Sequence, residues 1–234
     1  MEGTEKVTIH RIVAGEVETI NDTLVVEENV SIELDGEELI RTTCSPGHMR
    51  EWVLGYLFSE GRIEQADDVA KIRETNGLHS VELATSAPTG PGPVSPVASD
   101  VTIGSERLLE AACEVARRGE VFAATGGTHT IGIFGPSGIA SFAEDISRTC
   151  ALEKTIGAAL LEGVSFGESF AFLSSRVPSR MIAKLARCGV PIVAAVSAPT
   201  HDAVLLAKKL NLCLCGFVRN ERWNVYTHGW RVEL

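Results

Sequence analysis

Between Phe122 and Leu161 the chain reads FAATGGTHTIGIFGPSGIASFAEDISRTCALEKTIGAALL, and this stretch constrains the fold more than any other. An apolar approach through Val121 and Phe122 meets Thr125-Gly126-Gly127. Two adjacent glycines open backbone dihedrals closed to other residues, or let a ligand come close. A strand follows: His129, Ile131 and Ile133 fall on one face, and Thr130, Gly132 and Phe134 on the other. Gly135-Pro136-Ser137-Gly138 is a turn by composition, and Ile139 to Phe142 is a second strand. Glu144-Asp145 is then expected to open a helix, because carboxylates suit the positive end. Thr149, Leu152, Ile156, Ala159 and Leu160 give that helix one buried side. The glycine pair, His129, the acidic pair and Arg148 should therefore cluster where a hairpin ends and a helix begins. As a site this is plausible but generic.

Residues 5 to 42 alternate as strands do, through Val7–Ile12, Thr23–Val26 and Val30–Leu34, with a hairpin signal at Asp35-Gly36 and a return from Leu39 to Thr43. Ser45-Pro46 is expected to start a helix that Gly61 ends, and Trp52, Leu54, Tyr56, Leu57 and Phe58 make it a buried one. Val81–Leu83 is a strand. Ser86 to Asp100, SAPTGPGPVSPVASD, has no cluster of large apolar residues and reads as a loop or mobile linker. Ser105 is expected to cap a helix with Leu108, Leu109, Ala112 and Val115 on one side. Further on, Ser179–Arg187 and Asp202–Leu210 read as helices. Val190–Val196, Leu212–Val218 and Trp223–Tyr226 read as strands, the first of them covered on both faces. The alternation of β and α in the back half points to a layered α/β domain.

With 234 residues, 44 % of them hydrophobic, the chain can bury a substantial core. A net charge of −10 argues against a general nucleic-acid surface, though not against a local basic pocket. No apolar run is long enough to span a bilayer. The six cysteines are scattered without the paired spacing of a zinc module, and with no signal peptide the chain reads as cytoplasmic and reduced.

TGGTH followed by EDISRTCALEKTIG resembles the FdhD family of formate dehydrogenase accessory proteins, whose usual pattern is TGG-x-H and then EDVGRHNA-x-DK-x-xG. Thr125, Gly126, Gly127, His129, Glu144, Asp145, Arg148, Ala151, Lys154 and Gly157 keep that pattern, while Ser147, Thr149, Cys150 and Glu153 depart from it. Gly55–Ile63, GYLFSEGRI, resembles the family's GFL-x-SEGII. GVPIVAAVSAPT from Gly189 and GFVRNERWNVY from Gly216 resemble its later motifs, so the likeness covers nearly all of the chain past residue 40. The resemblance implies a mixed α/β (α+β) fold. A cytidine-deaminase-like layered domain would span 105–234 and a smaller β-rich portion 1–85, joined by the loop 86–104. It also implies a cytoplasmic role in formate dehydrogenase maturation: sulfur would pass from a cysteine desulfurase to a molybdenum bis-molybdopterin guanine dinucleotide cofactor. Formate dehydrogenase and the desulfurase are then the partners, with a homodimer allowed and no nucleic acid or membrane involved.

The family's Cys-x-x-Cys loop precedes the helix before TGG-x-H, and here the corresponding stretch, Ser86 to Gly104, contains no cysteine. Two readings therefore stand side by side: a sulfurtransferase-like carrier, or a cofactor- or nucleotide-binding relative without a persulfide. A metal enzyme is a third class, and no ligand cluster in the sequence favours it. Cys113 reads as packed in its helix, and Cys213 and Cys215 as core filling on one strand face. Cys150, at a helix start, is the first candidate for a reactive thiol and Cys44 the second. By resemblance, Phe217, Val218, Arg219, Asn220, Glu221 and Arg222 would bind the cofactor, two arginines being suited to phosphate and an aromatic to a purine. Gly126, Gly127 and His129 are expected to join them. The competing reading of the first segment is an ordinary hairpin turn. For Glu144, Asp145 and Arg148 it is capping and pairing on the helix.

Overall fold

A computed structural model describes residues 3–85, 92–219 and 222–234. β1 (Thr4–Val13) and β2 (Glu16–Val25) form a long antiparallel hairpin, turned by Ala14 and Gly15 at positive φ. Its distal end leaves Ile12, Val13 and Val17 exposed. β3 (Glu28–Leu34) and β4 (Glu37–Cys44) pair through Asp35-Gly36, both left-handed, as the sequence predicts.

Helix α1 (Met49–Ser59) starts later than the Ser45-Pro46 signal suggests. Ser45 is held elsewhere: its N–H donates to Asp145 at 3.2 Å, and its carbonyl accepts from Lys154 at 2.7 Å. β5 (Val69–Thr75) and β6 (Leu78–Leu83) complete a four-stranded sheet of order β4-β3-β6-β5. Trp52, Val53, Leu54 and Leu57 of α1 pack on Ile32, Ile63 and Val81 of this unit.

The expectation of a mobile linker needs correction for 92–100; 86–91 lie outside the described residues. Val97 is buried, donates its N–H to the Leu210 carbonyl at 2.9 Å and accepts from Asn211 at 2.8 Å. Arg187 donates to the Gly92 carbonyl at 2.7 Å, and Ser99 to that of Gly167 at 2.8 Å. A segment poor in large apolar groups is thus tied down by backbone hydrogen bonds, which composition does not reveal.

β7 (Ile103–Gly104) leads into α2 (Ser105–Arg118), where Gly104, not Ser105, occupies the cap position. α3 (Glu120–Thr125) takes in Val121 and Phe122 as a short helix. β8 (His129–Gly135) and β9 (Gly138–Asp145) form the expected hairpin, but β9 runs on to include Glu144 and Asp145. The carboxylate pair therefore ends a strand instead of opening a helix. α4 (Arg148–Leu161) begins after Ser147, whose side chain accepts from the Cys150 N–H at 3.4 Å. β10 (Phe170–Leu173), α5 (Ser179–Arg187), β11 (Ile192–Ala195), α6 (His201–Lys209), β12 (Cys213–Arg219), β13 (Arg222–Thr227) and β14 (Val232–Glu233) follow.

The main sheet has the order β13-β12-β11-β10-β8-β9, with β10, β11 and β12 mutually parallel and the remaining pairs antiparallel. On one face Ile131, Ile133, Val193 and Leu214 meet Leu152, Ile156, Met181, Leu185 and Ala203 of α4, α5 and α6. On the other, Phe172, Ile192, Cys213 and Cys215 meet Leu108 and Val115 of α2. The fold is mixed α/β, with six α-helices among the described residues.

α4 is buried on both sides, because α1 covers the flank that the sheet leaves open. Gly55 and Gly157 let the two helices touch backbone to backbone. A Cβ on Gly55 would lie 1.8 Å from the Glu153 carbonyl oxygen, and one on Gly157 1.9 Å from that of Glu51. Around the crossing, Trp52 donates to Glu153 at 2.8 Å, and Lys184 reaches Glu153 at 3.0 Å, Glu60 at 2.6 Å and Ser59 at 3.0 Å. Asp145 and Lys154, both fully enclosed, pair at 2.8 Å.

Candidate functional site

Strand direction brings the two candidate segments to one edge of the main sheet. The carboxyl ends of β10, β11 and β12 face the same way, and antiparallel pairing puts the first residues of β8 and β13 beside them. Along that edge run Arg222 and Arg219, then Ser197–Thr200, then Ser174–Arg176, then His129 and Asp145. Three strand steps separate β12 from β8, roughly 14 Å at about 4.8 Å each. In open α/β sheets, the crevice beyond the carboxyl ends is where ligands bind.

At the β12 end, Phe217 has φ +58 and donates its N–H to the Ser197 carbonyl at 3.2 Å. A bulky residue in the left-handed region is strained, and the sheet pairing is bulged beside it, between Gly216 and Arg219. Phe217 is half-buried, and Arg219 and Arg222 are exposed with no ion pair among the described residues. Val218 is fully buried in the core beneath, so it offers a ligand only its backbone. Asn220 and Glu221 lie outside the described residues.

At the β8 end, both glycines have a structural reason. Gly126 closes α3 with φ +66 and donates its N–H to the Phe122 carbonyl at 2.7 Å. A Cβ on Gly127 would lie 2.9 Å from Val25 of the N-terminal hairpin. Glu144 accepts from the N–H groups of Val121 (3.1 Å) and Phe122 (2.9 Å) and from the Thr128 hydroxyl (2.9 Å), and so caps α3. Asp145 accepts from Ser45 and Ser147 as well as Lys154. Burial pushes its carboxyl up, and the Lys154 charge opposes that. Arg148, expected to pair with these carboxylates, makes no ion pair among the described residues. His129 is half-buried, and burial, then Arg148 and Arg176, hold its imidazole below the usual range, with Asp145 opposing. Arg176 was missed by sequence reasoning. It lies three residues past the FAFL strand β10, and recognising that strand would have placed it at the edge.

The cysteines fall differently from expectation. Cys113, read as packed, is exposed on α2, whereas Cys44 and Cys150 are buried. The Cys150 side chain, then burial, pushes the Cys44 thiol up. Burial raises Cys188 to about 12. Cys213 and Cys215 are buried with sulfurs 3.8 Å apart. Native-state alkylation followed by peptide mass spectrometry should therefore modify Cys113 alone. Modification of Cys44 or Cys150 at a comparable rate would contradict the packing of α1 on α4.

Cavities of about 380, 300, 480 and 290 Å³ are also present. Three lie beside α1 and the smaller sheet and at the β8–β9 turn; the 300 Å³ one lies under the N-terminal hairpin and reaches Thr128 and Glu144 at the β8 end of the edge. Among the described residues no helix is long and apolar enough to cross a membrane.

This architecture is shared with a crystal structure from Desulfotalea psychrophila, described as a formate dehydrogenase accessory protein. The TM-score is 0.86, over 99 % of this chain and 100 % of that one, at 24 % identity. The profile of the FdhD/NarQ family matches residues 25–92 and 92–233, and the chain belongs to that family. Relatives named sulfur carrier protein FdhD include those of Methanothermobacter thermautotrophicus (31 % identical, 91 % of this chain, 92 % of that one) and Bacillus subtilis (30 %, 96 % of each). The relative from Anaeromyxobacter sp. strain K is 34 % identical over 92 % of this chain and 90 % of its own.

Proposed function

We propose that this chain acts in formate dehydrogenase maturation, handling the transfer of sulfur from a cysteine desulfurase to a bis-molybdopterin guanine dinucleotide cofactor. The observation that carries the reading is end-to-end likeness to relatives named sulfur carrier proteins, across more than nine-tenths of both chains. The cofactor would lie along the carboxyl-end edge. Arg219 and Arg222 would take phosphate oxygens, the Phe217 ring a base, and Gly126, Gly127 and His129 the other end. The donor set fits such a group: two exposed guanidiniums without a carboxylate partner among the described residues stand beside a strained, half-exposed aromatic. When bound, the cofactor supplies the sulfur-accepting centre; the chain's own residues hold it and keep it at the edge.

One observation favours the reading without a persulfide: residues 86–104 lack cysteine, and only Cys113 is exposed among the six. Incubation with a cysteine desulfurase and cysteine, followed by mass spectrometry, separates the two. Stoichiometric persulfide supports the carrier, and its absence leaves a cofactor-holding protein. Cofactor binding has its own test. Arg219→Ala with Arg222→Ala should weaken binding of guanosine diphosphate by tenfold or more, since a charge-assisted contact contributes about 1.5–3 kcal/mol. Equal affinity in calorimetry would remove this turn from the site.

A further inference from the structure

The other end of the edge carries positive charge that the fold does not balance. Three elements deliver it. His129 is the first residue of β8, Arg148 opens α4, and Arg176 follows β10. Hydrogen bonds fix their register. Ser174 donates its N–H to the Thr130 carbonyl at 3.0 Å and accepts the Thr130 N–H at its hydroxyl at 2.9 Å, which carries Arg176 past His129. On the other side His129 pairs in register with Asp145, three residues before Arg148. The nearby carboxylates are already committed: Asp145 to Lys154, Ser45 and Ser147, and Glu144 to the start of α3. Neither Arg148 nor Arg176 has an ion-pair partner among the described residues.

Arg148 carries a further sign. Its Nε is buried and has no hydrogen-bond partner among the described residues. A buried donor left unmade is costly, so such a group calls for an explanation. The N–H groups of Arg148 and Thr149, at the positive end of the fourteen-residue α4, also lack acceptors among the described residues. Guanidinium forks and free helix N–H groups are complementary to one ligand chemistry, a tetrahedral oxyanion.

We propose that His129, Arg148 and Arg176 form a phosphate receptor, separate from the Arg219–Arg222 turn and taking the phosphate or diphosphate group of a nucleotide. That the phosphate comes from a nucleotide rests on the function proposed above; the receptor itself does not. His129 faces Asp145 from β9, Arg148 from α4 and Arg176 from beyond β10. An arriving anion offsets the two guanidiniums and favours the imidazolium, which can then donate.

The test is calorimetry of the full chain with inorganic pyrophosphate, which has no guanine to engage the other turn. Wild type should bind it, and Arg148→Gln with Arg176→Gln should weaken binding by roughly tenfold or more. The same loss should persist in an Arg219→Ala/Arg222→Ala background, where the other phosphate-holding turn is absent. Tighter binding of guanosine diphosphate than of pyrophosphate supports a nucleotide as the source; equal affinity supports the receptor but assigns it to free phosphate. No binding by wild type, or unchanged binding by the folded Arg148→Gln/Arg176→Gln variant, overturns the proposal. Should that variant not fold, proton NMR of wild type decides. Pyrophosphate should move the His129 titration to higher pH, and a titration that stays put overturns the proposal. If the cofactor reading alone is wrong, guanosine diphosphate loses its advantage while pyrophosphate still binds.

Discussion

Gly157→Ala destabilises the protein by about 3 kcal/mol, the upper end of ordinary overpacking, and Gly157→Val by more still. The sign makes this expectation sharp. Within a helix, Gly→Ala normally gains about 1 kcal/mol. Here the added carbon would sit 1.9 Å from the Glu51 carbonyl oxygen, and the mirror contact at Gly55 is 1.8 Å from that of Glu153. Neither obstacle is a side chain that can swing away. The helices must separate, because at both glycines the obstacle is the backbone of the other helix. Separation strains the Trp52–Glu153 hydrogen bond as well. Valine adds branching against backbone on top of that, for a loss above about 4 kcal/mol from a total of roughly 5–15 kcal/mol. Urea denaturation followed by circular dichroism measures it. Gly167→Ala, where an added carbon meets nothing within 4 Å, is the control. A Gly157→Ala midpoint equal to or above wild type would refute the close crossing.

Lys154→Met has the second large effect, a loss of about 3–5 kcal/mol, because removing one member of a buried pair strands the other. Asp145 is fully buried, and without Lys154 it retains only the Ser45 and Ser147 N–H groups. The pH dependence gives a second check. Burial raises the Asp145 carboxyl already, and loss of the opposing lysine raises it further. A carboxyl whose folded value lies above its unfolded one binds its proton more readily in the folded state. Its stabilising effect is therefore complete at low pH and is lost as pH rises through the folded value. The deficit of Lys154→Met should narrow as pH falls from neutral toward the carboxylate range, and Asp145→Asn added to it should recover part of the loss. A deficit independent of pH and unchanged in the double variant would show that Asp145 does not bear the cost.

Much of this was written in local pattern. Asp35-Gly36 marked its hairpin, and the period of two through His129–Phe134 marked β8, because turns and strand faces depend on neighbours in sequence. The apolar period of α4 marked one side correctly. What it concealed is that Cys150, Glu153, Lys154 and Gly157 are buried on the other side. Two of these are charged, and partners outside the helix make their burial tolerable: Trp52 of α1 and Lys184 of α5 for Glu153, Asp145 and the Ser45 carbonyl for Lys154. Glu144-Asp145 misled for a related reason. Acidic residues before an apolar period resemble a helix start, yet here they satisfy Lys154 and, beyond any local window, groups on α3 and Ser45. Cys113 misled through its neighbours, since the buried face of α2 passes through Ala111 and Val115 and turns Cys113 outward. At the site, the two segments could be listed from sequence, but their meeting on one edge is a property of strand direction. Arg148 and Arg176 gained meaning only when no carboxylate was found to meet them.

The crossing of α1 and α4 also sets a schedule for synthesis. Trp52 and its partner Glu153 are 101 residues apart. At roughly 5–20 residues per second, α1 leaves the ribosome about 5–20 s before α4 exists to cover it. Throughout that interval the Gly55 strip that meets α4 has no partner and the Trp52 indole N–H lacks Glu153, while the smaller sheet shelters the rest of the helix. The nascent chain is then a natural client for a holding chaperone, and a message truncated ahead of Arg148 yields an exposed, sticky fragment.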